Sequence, residues 1–438
     1  MKQFLILMAL YVCASCTAQP TPTVNGATSS EWVPQDNGAS VNGWRGPNNN
    51  GSYPDKGLLA QWPAEGPEMI FEVEDAGKGY SSPQVVGDRI YLTGLNDQED
   101  QEVLNCYKLD GTKVYTVAYG RNWNQSYPET RTTPTYSEGK LYVISGMGDI
   151  VCLNAEDGAI VWKIDGGEKY SRKTGNWGTS ECPLVFDDKV IYTPCGDQTT
   201  MVALNKNTGE EIWKTRALGD KSGYVSPILI KYKGKRQIVG STSLNAFGVN
   251  PETGEMEWTF DNWGPKYSGK ASRWDNIAPN SAIYRDGKIF FCHGYDINGF
   301  QLQLADDLKS VEVTWRTDVL DTHHGGYVLE GDYLYGSNWI NNNAGNWCCL
   351  DWNTGELMYE TAWQGKGKGS IITADNKLIC YDERRGTVGL AKATPEKFEI
   401  ISEFRITKGS GPYWAHPSIA NGVLYIRHAN AFYAYKLK

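Results

Sequence analysis

The side chains that can do chemistry are gathered in eight short polar segments, which recur roughly every 40–50 residues along the chain. Three of the five histidines fall in two of these segments, Asp321–Gly326 and Pro412–His416. A histidine or glutamate with a pKa near neutrality can act as a general base, and arginine or lysine can stabilise developing negative charge. Glycines flank these side chains and let the backbone approach a ligand closely. The segments therefore predict a polar ligand site.

We predict that the segments gather around one central funnel. The candidate catalytic residues are His323, His324, Glu181 and Arg131. The candidate ligand-binding residues are Tyr80, Arg131, Trp177, Glu181, Arg273, Trp274, Asn276, His324, Lys368, Trp414 and His416. Basic groups outnumber acids in this set, which favours a small ligand bearing a carboxylate or sulfate, and indoles beside amides suit a sugar. No Cys/His set has zinc spacing, so the sequence predicts no metal site.

The same residues also have a purely structural interpretation. Side chains at junctions between repeats can bond neighbouring repeats, and Glu181 and Arg131 could form a salt bridge with no ligand role. If the site is catalytic, elimination or hydrolysis on an acidic sugar suits its residues. The sequence alone leaves open whether the protein is an enzyme.

The elements that must position these residues are repeated strands. The sequence motif Ala203–Trp213 contains the end of one strand, a turn at Asn-Thr-Gly and the start of a second strand that carries tryptophan. Variant copies occur at Tyr107–Tyr115, Cys152–Trp162, Val249–Trp258 and Cys349–Tyr359. A sequence motif that recurs in this way predicts a repeat architecture. One large ring per repeat is expected to fill the space between neighbouring sheets, at Trp162, Trp213, Trp258, Trp315 and Tyr359.

Eight units can be counted. Their first strands start near Ser82, Thr133, Cys182, Ser226, Asn280, Gly326, Ser370 and Pro417. The last unit lacks an outer strand, whereas an unassigned strand, Met69–Val73, precedes the first unit. Pairing the two closes a ring and removes both edges. We therefore predict an all-β fold, an eight-bladed antiparallel β-propeller over residues 65–438, with a seven-bladed ring containing one degenerate repeat as the alternative.

The N-terminus predicts export. Lys2 precedes the apolar run Phe4–Val12, which is too short to span a membrane, so residues 1–18 are predicted to be a signal peptide. Val12–Cys16 resembles a lipobox in which Cys16 is lipidated, and cleavage near Ala18 is the alternative. Residues 19–64 are predicted to be a flexible tether and N-terminal extension. We expect a protein of the periplasm, outer membrane or cell surface, attached only through its lipid.

The net charge of the chain restricts the classes of partner that we expect. The net charge is -9 and no long basic run occurs, which argues against nucleic acid as the main partner. We expect a monomer that binds a small molecule, with a periplasmic or outer-membrane protein as a further partner.

Most cysteines lie in apolar strands, where a free buried thiol is the default. Cys182 and Cys195 flank one hairpin and are the pair that could form a disulfide.

The repeat also carries a family resemblance. The pattern at 203–213 resembles the tryptophan-docking repeat of quinoprotein dehydrogenases, and Trp44-Arg45-Gly46-Pro47-Asn48 resembles the opening of a bacterial quinoprotein-like subgroup. From about residue 42 the chain resembles the PQQ-like β-propeller repeat family. That family includes PQQ-dependent alcohol dehydrogenases and the propeller lipoprotein of the outer-membrane protein assembly machine. The resemblance implies the fold, and it offers a dehydrogenase and an envelope scaffold as alternative functions.

A dehydrogenase of this family would need PQQ, calcium with a nearby aspartate base, and adjacent cysteines joined as a disulfide. Cys348-Cys349 invites that comparison, but Cys349 occupies the same repeat position as Cys152 and Ala203, inside a strand. We therefore interpret Cys348 and Cys349 as residues of the core. No calcium set of Glu, Asn and Asp can be transferred to this sequence, so PQQ with calcium is kept only as an alternative cofactor.

Overall fold

The structure is a computed structural model that describes residues 36–261, 263, 266–267, 277–295 and 297–438. The described strands form eight antiparallel sheets, each with four strands in up-and-down order, and a short parallel strand joins one of them. Each sheet is one blade of a β-propeller, which confirms the predicted eight-bladed fold and excludes the seven-bladed alternative. The predicted signal peptide, Cys16, Arg273, Trp274 and Asn276 lie outside the described residues.

The first four blades follow one another along the chain. Blade one contains β3 (Gln84–Val86), β4 (Arg89–Leu95), β5 (Gln101–Lys108) and β6 (Lys113–Arg121). Blade two contains β7 (Thr135–Ser137), β8 (Lys140–Ile144), β9 (Asp149–Asn154) and β10 (Ile160–Asp165), followed by the helical turn α1 (Gly166–Lys169). Blade three contains β11 (Leu184–Phe186), β12 (Lys189–Tyr192), β13 (Val202–Asn205) and β14 (Glu211–Lys214). Blade four contains β15 (Ile228–Tyr232), β16 (Lys235–Ser241), β17 (Ala246–Val249) and β18 (Met256–Phe260).

The remaining blades complete the ring. Blade five contains β19 (Ile283–Arg285), β20 (Lys288–Gly294), β21 (Ile297–Leu304) and β22 (Val311–Thr317). Blade six contains β23 (Tyr327–Glu330), β24 (Tyr333–Ser337), β25 (Trp347–Asp351) and β26 (Leu357–Thr361). Blade seven contains β27 (Gly369–Ala374), β28 (Lys377–Asp382), β29 (Thr387–Lys392) and β30 (Ile400–Arg405). Blade eight contains β31 (Ser418–Ala420), β32 (Val423–His428), β33 (Ala431–Lys436) and, as its outer strand, β2 (Met69–Val73).

The pairing of β2 with β33 closes the ring, as the unassigned N-terminal strand predicted. Phe71 and Ala434 are register partners in this pair. A buried arginine on the next strand secures the junction between blades eight and one. Arg427 donates to the backbone carbonyls of Thr93 at 2.6 Å and Gly77 at 2.8 Å. Closure therefore uses both a strand pair and a polar link between the ends of the propeller.

Adjacent blades interlock through the repeated aromatic residues. The Trp162 indole of blade two donates to the carbonyl of Lys206 in blade three at 2.9 Å. The ring lies over the turn glycine of that blade, because a Cβ built on Gly209 would stand 2.9 Å from Trp162 Cε3. The same arrangement joins Trp213 to Gly254 and Trp315 to Gly355. These large side chains are buried and structural, as their repeat position predicted.

The N-terminal extension closes one end of the central channel. Ser40 N donates to Val185 O, and Asn42 O accepts from Tyr136 N, both at 2.8 Å. The short strand β1 (Ser52–Tyr53) then pairs in parallel with β27. These contacts lie on the first strands of blades three, two and seven, which surround the axis. The described part of the predicted tether and extension is therefore packed against the propeller, whereas residues 19–35 lie outside the described part.

Candidate functional site

The junctions between blades meet at the end of the propeller opposite the N-terminal extension. In an up-and-down blade, the segment entering the first strand and the turn between the second and third strands lie at the same end. Glycine-rich junctions enter the first strands here, and the second turns provide Tyr295, Asn342 and Glu383. Side chains from distant parts of the chain thereby converge on the axis.

These segments surround a cavity of about 470 Å³. Its lining residues are Trp44, Tyr80, Tyr127, Arg131, Trp177, Ser180, Cys182, Tyr224, Ile277, Pro279, Tyr295, His323, His324, Asn342, Asn343, Glu383, Arg384, Pro412, Trp414 and His416. Tyr127 and Arg384 are exposed and mark its mouth. The size and the mixture of rings and polar groups are those of a small-molecule site.

Aromatic rings form the wall of the cavity. Trp414 packs against Tyr80 and against Tyr127, with ring centroids 5.2 Å apart in both pairs. Trp177 packs against Tyr224 at 5.4 Å on another part of the wall. Such rings supply broad apolar faces with polar edges, which suits the face of a sugar ring or another flat ligand.

The floor of the cavity comes from the N-terminal extension. The Trp44 ring lies edge-on to His416 with centroids 5.2 Å apart, and both residues line the cavity. Arg45 lies beneath them, fully buried, and donates to Tyr327 O and Asn50 O. Burial lowers the pKa of His416 to about 3, and the Arg45 charge acts in the same direction. His416 is therefore neutral, and its Nε2–H donates to His324 O at 3.0 Å.

A glutamate on blade seven organises the histidine pair. Nδ1 of His323 donates to Glu383, at 3.3 Å from Oε1 and 3.2 Å from Oε2. Nε2 of His324 lies 3.9 Å from Glu383 Oε2, too far for a hydrogen bond. Lys368 is buried behind the carboxylate, with Nζ 2.7 Å from Oε1. Glu383 thus holds one histidine, faces a second and is neutralised by a lysine.

The charge state of this cluster follows from its contacts. Burial alone would raise the pKa of Glu383, but the charges and hydrogen bond of His323, together with His324 and Lys368, lower it to about 2. Burial lowers the pKa of His324 well below its ordinary value, and the neighbouring His323 adds to the effect. At neutral pH the cluster therefore contains an ionised Glu383 and a neutral His324.

Two arginines give the lining a positive charge. The Arg131 guanidinium donates to backbone carbonyls, among them Glu129 O at 3.1 Å. Arg384 lies at the mouth. Within the described part of the chain, neither guanidinium forms an ion pair with a carboxylate. Among the described lining residues, Glu383 is the only carboxylate, and Lys368 pairs with it. Burial lowers the pKa of Arg131, and the nearby carboxylates of Glu102 and Glu129 oppose that effect without forming an ion pair with it.

The structure brings most of the described candidate residues together. The cavity lining contains Tyr80, Arg131, Trp177, His323, His324, Trp414 and His416. Lys368 lies behind the lining rather than on it, because its ammonium is taken by Glu383 and by the carbonyls of Asn341 and Asn342 at 2.9 and 3.1 Å.

Glu181 points away from the cavity. Its carboxylate accepts from Thr193 N at 2.8 Å and Thr193 Oγ1 at 3.0 Å, and Arg131 is not its partner. Ser180 and Cys182, on either side of it, line the cavity, since successive side chains of an extended segment point in opposite directions. Burial raises the pKa of Glu181 to about 8. This glutamate bonds its own blade, and the structure offers it no contact with a ligand in the cavity.

The prediction that Cys348 and Cys349 are residues of the core is confirmed. Cys348 and Cys349 lie in β25, are buried in separate hydrophobic clusters and are free. Cys182 and Cys195 are free as well, so the optional disulfide between them is not formed. Cys182 Sγ instead accepts from Thr133 N at 3.1 Å.

Comparisons with known proteins agree with the propeller fold. A family model described as outer membrane protein assembly factor BamB matches residues 110–358. A quinoprotein ethanol dehydrogenase of Pseudomonas aeruginosa is 28% identical over 172 residues, which are 35% of this chain and 26% of that protein. A 1-butanol dehydrogenase (quinone) of Thauera butanivorans is 22% identical over 311 residues, 63% of this chain and 47% of that protein. The chain spans less than half the length of these curated relatives.

Solved structures show the same fold at low identity. BamB from Moraxella catarrhalis superimposes with a TM-score of 0.62 at 15% identity, covering 84% of this chain and 99% of that one. The quinohemoprotein alcohol dehydrogenase from Comamonas testosteroni gives 0.60 at 14% identity, covering 84% of this chain and 76% of that one. With more than half of the sequence matched by the family model and the eight blades in place, the chain belongs to the PQQ-like β-propeller repeat family.

Proposed function

We propose that this protein binds a small anionic, sugar-like ligand in the central cavity. The observation that carries the proposal is the pair of arginines, Arg131 and Arg384, which face an aromatic-walled cavity without a carboxylate partner among the described residues. A carboxylate or sulfate would satisfy them through charge-assisted hydrogen bonds. Trp414 and Trp177 provide ring faces in the lining, and Asn342 and Asn343 provide amides for hydroxyl groups.

A ligand screen tests this proposal. The protein is tested by thermal shift and calorimetry with uronic-acid oligosaccharides, sulfated oligosaccharides and the neutral counterpart of each. Because a ligand that binds only the folded form raises stability, we expect the acidic sugars to raise the melting temperature in proportion to their concentration. Binding that weakens with added salt would support the arginine role. Equal binding of neutral and acidic sugars would contradict it.

In the metal-free protein, catalysis at this site would centre on His323. Glu383 fixes its Nδ1–H, which leaves Nε2 for a ligand, and the residue lines the cavity. A carboxylate that orients a histidine in this way prepares it as a general base. Elimination or hydrolysis on an acidic sugar is therefore the reaction class to assay first. Product formation that is lost in His323→Gln, with ligand binding retained, is the expected result for an enzyme.

The PQQ alternative does not fit the described residues. The quinone's carboxylates would find Arg131 and Arg384, but the calcium that accompanies it needs several oxygen ligands. Among the described lining residues, Glu383 is the only carboxylate, and Lys368 already pairs with it. Cys348 and Cys349 lie inside a strand and form no disulfide. Titration with PQQ and calcium tests this assignment, and we expect neither quinone absorbance in the purified complex nor dye reduction with alcohols.

A scaffold role in the envelope is the second candidate. Exposed apolar pairs lie on unpaired outer strands, namely Ile160 and Val161 on β10 and Leu357 and Met358 on β26. Outer edges of this kind can bind another protein. The BamB description of the matched family points to outer-membrane assembly as the setting. Cross-linking in cells followed by purification is the test, and a stoichiometric outer-membrane partner would favour this function.

Export and lipid attachment at Cys16 remain part of the proposal. In the described ranges, no helix is long and apolar enough to cross a membrane. Mass spectrometry of the protein from native membranes tests attachment. A diacylglyceryl group on Cys16 is the expected result, and a free N-terminus near residue 19 would indicate ordinary signal cleavage.

A further inference from the structure

Three potential metal ligands converge at the wall of the cavity. Donor atoms of His323, His324 and Glu383 all lie within 4.8 Å of one another. Both imidazoles approach the same carboxylate oxygen, Oε2, at 3.2 Å from His323 Nδ1 and 3.9 Å from His324 Nε2. The residues come from the junction before blade six and the second turn of blade seven, so the convergence depends on the fold.

The spacing suits an ion held between these atoms. Metal bonds of about 2.0–2.2 Å to nitrogen and oxygen place two ligands of a tetrahedral ion about 3.3–3.6 Å apart. The two measured separations lie on either side of that range. In addition, His324 Nε2 is buried and has no hydrogen-bond partner. Buried polar atoms are normally satisfied, and a bound cation would satisfy this one.

Lys368 affects the binding of such an ion through its contacts with Glu383 and through its charge. Its ammonium donates to Asn341 O and Asn342 O and pairs with Glu383 Oε1, so its three donors are used and Oε2 faces the two histidines. Its positive charge nevertheless opposes a second cation nearby. Two imidazoles with one carboxylate form a donor set that favours zinc and neighbouring first-row ions over calcium or magnesium.

We propose that His323, His324 and Glu383 bind one divalent first-row transition-metal ion, of the zinc class, at the wall of the cavity. His324 lines the cavity, so the remaining coordination positions face the space that a ligand would occupy. A carboxylate or sulfate of the ligand proposed above would then bind the ion directly. The metal site itself does not depend on that ligand, because the ion can be measured alone.

Cobalt provides the test, because it substitutes for zinc and absorbs visible light when bound. The full-length protein, purified without a histidine tag and freed of metal by chelation, is titrated with CoCl₂. We expect a visible band that saturates at one equivalent and disappears when ZnCl₂ is added. His324→Ala should abolish the band and still fold, since His324 Nε2 has no hydrogen bond to lose. A wild-type protein without the band, or a folded His324→Ala protein that retains it, would overturn the proposal.

Two carboxylate variants and one lysine variant assign the ligands. Glu383→Gln should lose the band, whereas Glu396→Gln, an exposed carboxylate of the same blade, should retain it. Lys368→Met should bind Co²⁺ more tightly, because the opposing charge is removed and Oε1 is released. Unchanged or weaker binding by a folded Lys368→Met protein would contradict the assignment of Glu383. Failure of these metal experiments would leave the binding of acidic sugars at Arg131 and Arg384 untouched.

Discussion

Lys368 and Glu383 form an ion pair within blade seven that is almost excluded from solvent, with Nζ 2.7 Å from Oε1 and side-chain exposures of 1% and 7%. The backbone joins the same residues, since Glu383 N donates to Lys368 O at 3.0 Å. Lys368 precedes β27 and Glu383 follows β28, so the pair links the innermost strand to its neighbour. His323 of the adjoining junction then docks on the carboxylate.

Removing the lysine should therefore destabilise the protein irrespective of any ligand. Breaking a buried pair leaves a charge uncompensated, which costs about 3–5 kcal/mol. We expect a loss near the lower end for Lys368→Ala, because His323 still donates to Glu383. The double variant Lys368→Met/Glu383→Gln should lose less stability than the sum of the losses of Lys368→Met and Glu383→Gln, as measured by urea unfolding. Losses that simply add would show that the two side chains are not coupled.

The interlock between blades gives a second prediction, for which the chain supplies its own control. Gly209 and Gly139 have nearly the same positive φ, 76° and 77°, but a Cβ on Gly209 would meet the Trp162 ring, whereas Gly139 has open space around it. Gly139→Ala should cost about 1–2 kcal/mol from backbone strain alone. Gly209→Ala should cost about 1–3 kcal/mol more, because the indole must move.

Chemical unfolding of both variants measures the difference. Equal losses would mean that the Trp162 ring yields to the added methyl group, and the docking of Trp162 on Gly209 would then contribute little to stability. Trp162→Ala serves as the reference for complete loss of the ring, at about 3–5 kcal/mol.

Glu181 predicts a pH dependence of stability. Its folded pKa is about 8 against an ordinary value of 4.5, so the folded protein retains a proton that the unfolded chain releases. This contribution to stability is complete below about pH 4.5 and is lost as the pH rises through 8. Glu181→Gln cannot ionise, and we expect it to be more stable than the wild type by roughly 1–3 kcal/mol at pH 9 and similar at pH 4.

Thermal unfolding between pH 4 and pH 9 measures this effect. Glu102, whose pKa burial raises to about 7, titrates in the same window and should keep part of the alkaline loss in the variant. Parallel pH profiles for wild type and Glu181→Gln would show that Glu181 is ionised in the folded protein.

The cysteines provide a fourth prediction. The eight cysteines of the described chain are free and buried, and burial raises the pKa of Cys182 to about 11. A thiolate is the reactive form, so none of the eight should react with a thiol reagent in the native protein. In denaturant all eight should react, in addition to any cysteine of the N-terminal segment that is retained and unmodified. A total lower by two would reveal a disulfide, and peptide mapping would identify it.

Much of the fold could be predicted from the sequence because the signals are local and repeated. A turn glycine followed by an aromatic residue recurs in the copies, as at Gly209 and Trp213, and the missing outer strand of the last unit predicted its pairing with Met69–Val73. The site was harder. The junction residues His323, His324, Trp414 and His416 were identified because junctions meet at one end of a propeller.

Glu383 was missed because it lies in the turn between β28 and β29, within a unit rather than at a junction. The up-and-down order of each blade places this turn at the same end, and that rule could have found it. The rule does not predict the direction in which a side chain points, as Lys368 and Glu181 show. Whether a side chain faces the cavity depends on strand parity and on partners from other segments, such as Glu383 for Lys368 and Thr193 for Glu181.

The most direct test of ligand binding compares two adjacent arginines. Arg384 lines the mouth of the cavity, whereas Arg385 is exposed beside it and does not line it. Calorimetric titration of Arg384→Gln and Arg385→Gln with a uronic-acid oligosaccharide separates a specific contact from general charge. We predict about 10–100-fold weaker binding for Arg384→Gln and wild-type binding for Arg385→Gln. Equal affinities in the two variants would contradict an anionic ligand held at this cavity.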